Sequence, residues 1–204
     1  ACADAVVAGA HFTAPKVSGV VLATQASVPA KFVYIEPMRV SGEESAYPGT
    51  LDGQIHRLFT WKNYESVSQS DAQFTFALPD TYNDGNCTLI IRYQPGTSPG
   101  SALSFTPEIR VNGFAIDDSV TDTTNDISGL GTGFTTPIGT MLSEMTVTIA
   151  GGGGTNKISS GSKLLRVWTR RWNDATGNPD AYDGDIRVYG LTLKVPVKDM
   201  NGGN

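Results

Sequence analysis

Histidine and cysteine are almost missing from this chain: of 204 residues, two are His and two are Cys. That scarcity excludes most of the familiar catalytic and metal-binding arrangements. A Ser-His-Asp or Cys-His site needs a buried imidazole beside a nucleophile. His11 sits in an Ala/Val-rich N-terminal stretch and His56 in a β-rich run, and no G-x-S-x-G elbow accompanies either. Scattered singly, Cys2, Cys87, His11 and His56 lack the paired spacing of a zinc site. Cys2 lies at a chain end and Cys87 far from it, so two free thiols are expected rather than a disulfide framework.

Positive charge is also short. Lys and Arg number 15 against 20 Asp and Glu, for a net charge of −5. A nucleic acid or an anionic membrane surface would call for a basic face, so neither is an expected partner. No apolar run approaches the roughly 20 residues of a spanning helix. The opening "ACADAVVAGAHFTAPK" has no basic n-region and reads as neither signal peptide nor anchor. "GGGG" and "GLGTG" lack the strand-to-helix setting and the Lys of a phosphate cradle. Capped helical periodicity is absent too.

What the chain does have is turns and strands. Gly (23) and Pro (11) punctuate β-rich runs at 31–40, 54–61, 72–78, 87–93, 107–114, 144–150, 163–170 and 185–195. Phe74, Phe76 and Leu78 share one parity, as do Cys87, Leu89, Ile91 and Tyr93, and Met145, Val147 and Ile149. Such alternation marks half-buried antiparallel strands. In the last run Ile186 and Val188 lie on one parity but Leu191, Leu193 and Val195 on the other. A bulge near Tyr189–Gly190 would return all five to one face. The expected fold is all-β: a two-sheet antiparallel sandwich, a jelly roll of about eight strands, over residues 29–198. Residues 1–28 read as an extended N-terminal arm and 199–204 as a flexible tail. Residues 115–142 form a long polar connection of the kind laid over a neighbour, and "AGGGGTN" (150–156) reads as a hairpin tip.

Carboxylates remain as candidate chemistry. Of the glutamates, Glu108 and Glu144 fall on strands facing away from the apolar residues, where a glycosidase cleft could form. No two glutamates make an array on one strand, so solvated strand faces are the expectation. Around 170–190, "RRWNDATGNPDAYDGDIRVYG", Asp180, Asp183 and Asp185 crowd one loop. They are candidate calcium ligands, weighed against turn hardware in which Asn178–Pro179 starts a turn and Asp183–Gly184 supplies a positive-φ pair. No cofactor and no catalytic set is expected. For a contact surface, Arg166, Trp168, Arg170 and Trp172 share a parity; guanidinium over indole seals interfaces or makes a sugar platform.

The segment "LLRVWTRRWNDATGNPDAYDGDIRVYGLTLKV" is similar to the closing hairpin of tailed-bacteriophage structural proteins, on Asp180, Tyr182, Gly184 and Asp185. "FALPDTYNDGNCTLIIRY" resembles them again, on Phe76, Leu78, Pro79, Tyr82 and Gly85; Ile90, Ile91, Arg92 and Tyr93 stand where His and Trp are often found. The resemblance covers roughly 70–195. It implies a non-enzymatic virion β-sandwich of the head decoration (cement) or minor capsid type, assembled in the host cytoplasm. The partners it implies are a major capsid protein and copies of the chain itself as a homotrimer. The alternative is a tail or fibre protein that binds host glycan through Trp168, Trp172 or Tyr182.

Overall fold

Alternating apolar residues need a second sheet to face, and the chain supplies one by changing sheet at nearly every turn. The computed structural model describes residues 16–17, 20–21, 31–42, 50–52, 55–61, 72–116, 127, 134–154, 157–158, 161–171 and 181–198. In chain order the strands are β1 (Lys16–Val17), β2 (Val20–Val21), β3 (Lys31–Ile35), β4 (Arg39–Gly42), β5 (Thr50–Asp52), β6 (Ile55–Arg57), β7 (Phe59–Trp61) and β8 (Ala72–Ala77). They continue with β9 (Cys87–Pro95), β10 (Ser104–Phe105), β11 (Pro107–Phe114), β12 (Phe134–Thr135), β13 (Ser143–Ile149), β14 (Leu164–Arg171) and β15 (Ile186–Val197). No helix among the described residues is long and apolar enough to cross a membrane.

One sheet has the order β11-β14-β8-β4 and the other β13-β9-β15-β3, with every pairing antiparallel. β7 and β3 share one flank of β15, pairing with Ile186–Val188 and Leu193–Val197 respectively. The inward parities meet in one core, with Phe74, Phe76, Ile109, Val111, Leu165 and Val167 from the first sheet. Leu89, Ile91, Val147, Ile149, Leu193 and Val195 come from the second. Phe59 of β7 reaches Phe74 of β8 at 5.1 Å between centroids, closing the gap between layers. The molecule is an all-β antiparallel sandwich.

The register of β15 against β9 shifts between Val188 and Gly190, so Ile186, Val188, Leu191, Leu193 and Val195 are all buried. The bulge lies where the parity switch placed it.

Several expected units divide differently. The 31–40 run is two strands in different sheets, β3 against β15 and β4 against β8. Pro37, which has no N–H to give a ladder, stands at the break. The 54–61 run breaks at Leu58 into β6 and β7, although the Leu58 N–H still donates to Val188 O at 2.8 Å. β14 and β15 belong to opposite sheets, so the closing segment is no hairpin and the loop between them sets no register. The 150–156 stretch likewise crosses between sheets, from β13 to β14. Gly152, Gly153 and Gly154 have φ of 93°, 69° and 97° there. A Cβ on Gly151 would overlap the carbonyls of Asp84 and Gly85.

Of the expected arm, only Lys16–Val17 and Val20–Val21 are described, and they pair with each other. The rest of 1–28, and 199–204, lie outside the described residues. In the 115–142 connection, buried Ile127 bridges to Val111 at the edge of β11, and β12 pairs with β10.

Candidate functional site

On a flat antiparallel sheet, residues opposite one another across strands share a face and meet. β14 lies between β11 and β8, and its register sets Arg170 opposite Glu108, Trp168 opposite Arg110 and Gln73, and Arg166 opposite Asn112 and Thr75. The core takes Leu165, Val167, Thr169 and Arg171, so Arg166, Trp168 and Arg170 project from the outer face. These three residues of the expected interface set lie on one outer face, Arg170 over the Trp168 ring and Arg166 over Phe114. Trp172 lies outside the described residues.

The face also recruits two residues that the interface expectation left out. Glu108 accepts from Arg110 Nε at 2.7 Å through Oε1 and from Arg170 Nε at 2.5 Å through Oε2. Both guanidiniums lie over the Trp168 indole, at 5.1 Å for Arg110 and 4.9 Å for Arg170. Arg166 stacks on Phe114 at 5.1 Å. One carboxylate thus holds two cations against one ring. Each ion pair at such a surface adds about 0–1 kcal/mol and each cation–π contact about 0.5–1 kcal/mol. The cluster's effect is therefore less to stabilise the fold than to fix the positions of its charges. Among the described residues of this face, Arg110, Arg166 and Arg170 against Glu108 give a charge of +2, in a chain of −5.

Glu108 and Glu144 do not form a pair across a cleft. Glu144, on the outer face of β13, bonds Arg92 at 3.3 Å, while Glu108 is on the outer face of the opposite sheet.

The acidic loop is tied to a side chain outside the expected site residues. Arg171, the inward-facing end of β14, is 1% exposed and donates to the carbonyls of Tyr182 and Gly184. Its guanidinium lies 5.5 Å from the Tyr182 ring. Buried Tyr182 in turn donates to Thr97 O at 2.8 Å and accepts from the Thr97 N–H at 3.1 Å. Gly184 is not at positive φ; it is needed for space, because a Cβ would overlap Tyr182 Oη and Thr97 Oγ1. Tyr182, 3% exposed, offers no face to a sugar. Asp183 and Asp185 are exposed, Asp180 lies outside the described residues, and among the described residues no group of three or more His, Cys, Asp or Glu is placed to hold a metal.

His11 and Cys2 lie outside the described residues; His56 is on β6, its side chain likewise outside them. Cys87 is a buried free thiol. Burial pushes it up to about 11, partly offset by its hydrogen bond with Tyr82, which leaves it protonated and unreactive at neutral pH. Burial also raises the Tyr82 and Tyr93 hydroxyls. Tyr82 donates to Gly85 O at 2.8 Å and Tyr93 to Thr135 O at 2.9 Å, so both are structural ties.

No family model and no curated protein matches the chain. Among solved structures it is similar to the K3 and K1 cleaved adhesin domains of Lys-gingipain from Porphyromonas gingivalis W83, each at 12% identity and a TM-score of 0.36. The matches cover 81% and 82% of this chain and 92% of each of those domains. Likenesses this remote say nothing about what the chain binds.

Proposed function

We propose that the chain is a non-catalytic structural subunit of a tailed-bacteriophage particle, a head decoration protein that seats on a shell neighbour through the outer face of β11-β14-β8. The observation that carries this is the Glu108–Arg110–Trp168–Arg170 cluster: an aromatic anchor with its flanking charges already in place. Aromatic and Arg side chains dominate the energetics of protein interfaces, and fixing them in advance lowers the entropy lost on docking. The resemblance of 70–195 to phage structural proteins supplies the particle, the major capsid protein as neighbour and the copies of itself. We take the sandwich as a jelly roll because β14 and β15, the last strands, are each inserted between earlier strands of their sheet.

The glycan-binding alternative draws less support from the geometry. Two guanidiniums already engage the Trp168 ring that a sugar would stack on, and Tyr182 is buried.

The test is the copy number of the chain in purified particles, by quantitative mass spectrometry, for wild type and for the Arg110→Ser/Arg170→Ser variant. Wild type should be present in many copies and resist washing at low salt, and the variant should be depleted. Particles that lack the chain, or that hold the variant as fully as wild type, would overturn the reading. Binding of wild type to a host glycan array, with no retention on heads, would move the function to the tail.

A further inference from the structure

The end of the sandwich that holds the 181–185 loop carries a second surface of opposite character. Residues 136–142, leading from β12 into β13, display Ile138, Met141 and Leu142 at 61%, 62% and 57% exposure. A loop free to move would fold such side chains inward, but this one is braced. Thr136 N–H donates to Leu103 O at 2.8 Å, Leu103 N–H to Thr136 Oγ1 at 3.1 Å, and Gly139 N–H to Pro99 O at 3.2 Å. Gln94 Nε2 donates to Thr140 O and the Tyr93 hydroxyl to Thr135 O. Gly139 turns the loop at a φ of 81°. The bracing holds three large apolar groups in water at a cost to the free chain. Exposed apolar surface held in this way marks a contact site.

The charge pattern says what meets it. Residues 94–107 and 134–143, which supply the loop and its supports, contain no Asp, Glu, Lys, Arg or His, in a chain with 35 charged residues. Among the described residues, charge flanks the loop in the Arg92–Glu144 pair, 3.3 Å apart, and in Arg187, opposite Gln94 in the β9–β15 register. With no basic residue in either segment and a net charge of −5, an anionic lipid surface is disfavoured. Two copies of a −5 chain repel, and an uncharged tip is where they approach at least electrostatic cost.

The geometry points to the Ile138/Met141/Leu142 tip as a self-association surface, tip to tip between copies of this chain. The tip offers about 300 Å² of apolar area per copy, well under the about 800 Å² per partner of a stable interface. Association is accordingly weak in dilute solution and takes effect where copies are held close together. The contact itself does not depend on the particle reading, which bears only on its use.

Sedimentation velocity on the purified full chain, over rising concentration at low and high salt, tests this. Wild type should associate reversibly, and more strongly in high salt, which screens the −5 charge and leaves the apolar contact intact. Met141→Lys and Met141→Glu should each associate at least about tenfold more weakly, since a like charge then faces itself. An equimolar mixture of the two should recover association. Arg110→Ser/Arg170→Ser should self-associate as wild type does, so a failed particle assay leaves this result standing. A wild type that stays monomeric, single variants that associate like wild type, or a mixture that does not recover would each overturn the proposal. So would association that weakens with salt, the mark of a charged face.

Discussion

Arg171 offers the sharpest test of how the loop beside the candidate face is built. Arg171→Met keeps the length of the stem and removes the guanidinium from a site 1% exposed. Two carbonyls, of Tyr182 and Gly184, then lose their donors. Hydrogen bonds to a charged group contribute about 1.5–3 kcal/mol each, and a buried carbonyl left unpaired costs about 1–3 kcal/mol. Against that stands the desolvation of a buried cation, which the substitution relieves by several kcal/mol. The balance is a loss of about 2–4 kcal/mol from a total of roughly 5–15 kcal/mol. For a domain of this size each kcal/mol moves Tm by about 2–4 °C, so thermal unfolding followed by circular dichroism should show a fall of roughly 10 °C. Tyr182→Phe removes the hydroxyl bound to Thr97 and should cost about 1–2 kcal/mol. Because Arg171 holds the backbone carbonyl of the same residue whose hydroxyl Thr97 holds, the double variant should fall short of the sum by about 0.5–2 kcal/mol. A Tm for Arg171→Met within about 2 °C of wild type would refute the reasoning. Strict additivity would refute the coupling.

Gly184→Ala should destabilise strongly by driving a methyl into Tyr182 Oη and Thr97 Oγ1, whereas Gly190→Ala, whose Cβ would sit 3.7 Å from Arg92, should be neutral or stabilising by about 0.5 kcal/mol in urea unfolding. Thr169→Val should stabilise by about 1 kcal/mol, since Thr169 Oγ1 is buried with no hydrogen-bond partner; a loss of that size would mean the hydroxyl is paired. The Cys87 thiol, raised in the folded state from 9.0 to about 11, contributes stability that is fully present below about pH 9 and is lost as pH rises through about 11. Urea midpoints from pH 8 to pH 11 should fall for wild type and fall less for Cys87→Ala; equal slopes would contradict the assignment.

Parity made one half of the fold legible and hid the other. A period of two says which residues of a strand share a face, and it placed Phe74, Phe76, Leu89, Ile91, Val147 and Ile149 in the core. It also located the bulge of β15, because only an extra residue reconciles Val188 with Leu191. It carries no information on which sheet a strand joins. β14 and β15 look like a hairpin in sequence because both alternate and a turn-rich loop separates them, yet their apolar faces meet from opposite layers. The candidate face suffered from the same blindness. Arg166, Trp168 and Arg170 are readable as one row of one strand, but Glu108 and Arg110 join them only through the β11–β14 register, which depends on contacts across more than fifty residues.

Arg171 was legible in part: extending the β14 parity by one step beyond 170 puts an arginine inward, and an inward arginine demands acceptors. Those acceptors are backbone carbonyls of Tyr182 and Gly184, which leave no mark in a sequence. The Asp-rich loop is conspicuous for its carboxylates, but 181–185 is also tied by a tyrosine hydroxyl, a glycine with no room for a Cβ and an arginine from the strand before. A constellation of charges lies on the outer side of that same strand. β14 thus divides its arginines by parity: Arg171 turns inward to tie the loop, and Arg166 and Arg170 turn outward onto the face we propose as the docking surface. A partner that holds Arg170 in place therefore steadies the residue next to the lock, so docking on this face should slow hydrogen exchange at the Tyr182 and Gly184 amides as well as on the face itself. Protection confined to β11 and β14 would show that lock and face act independently.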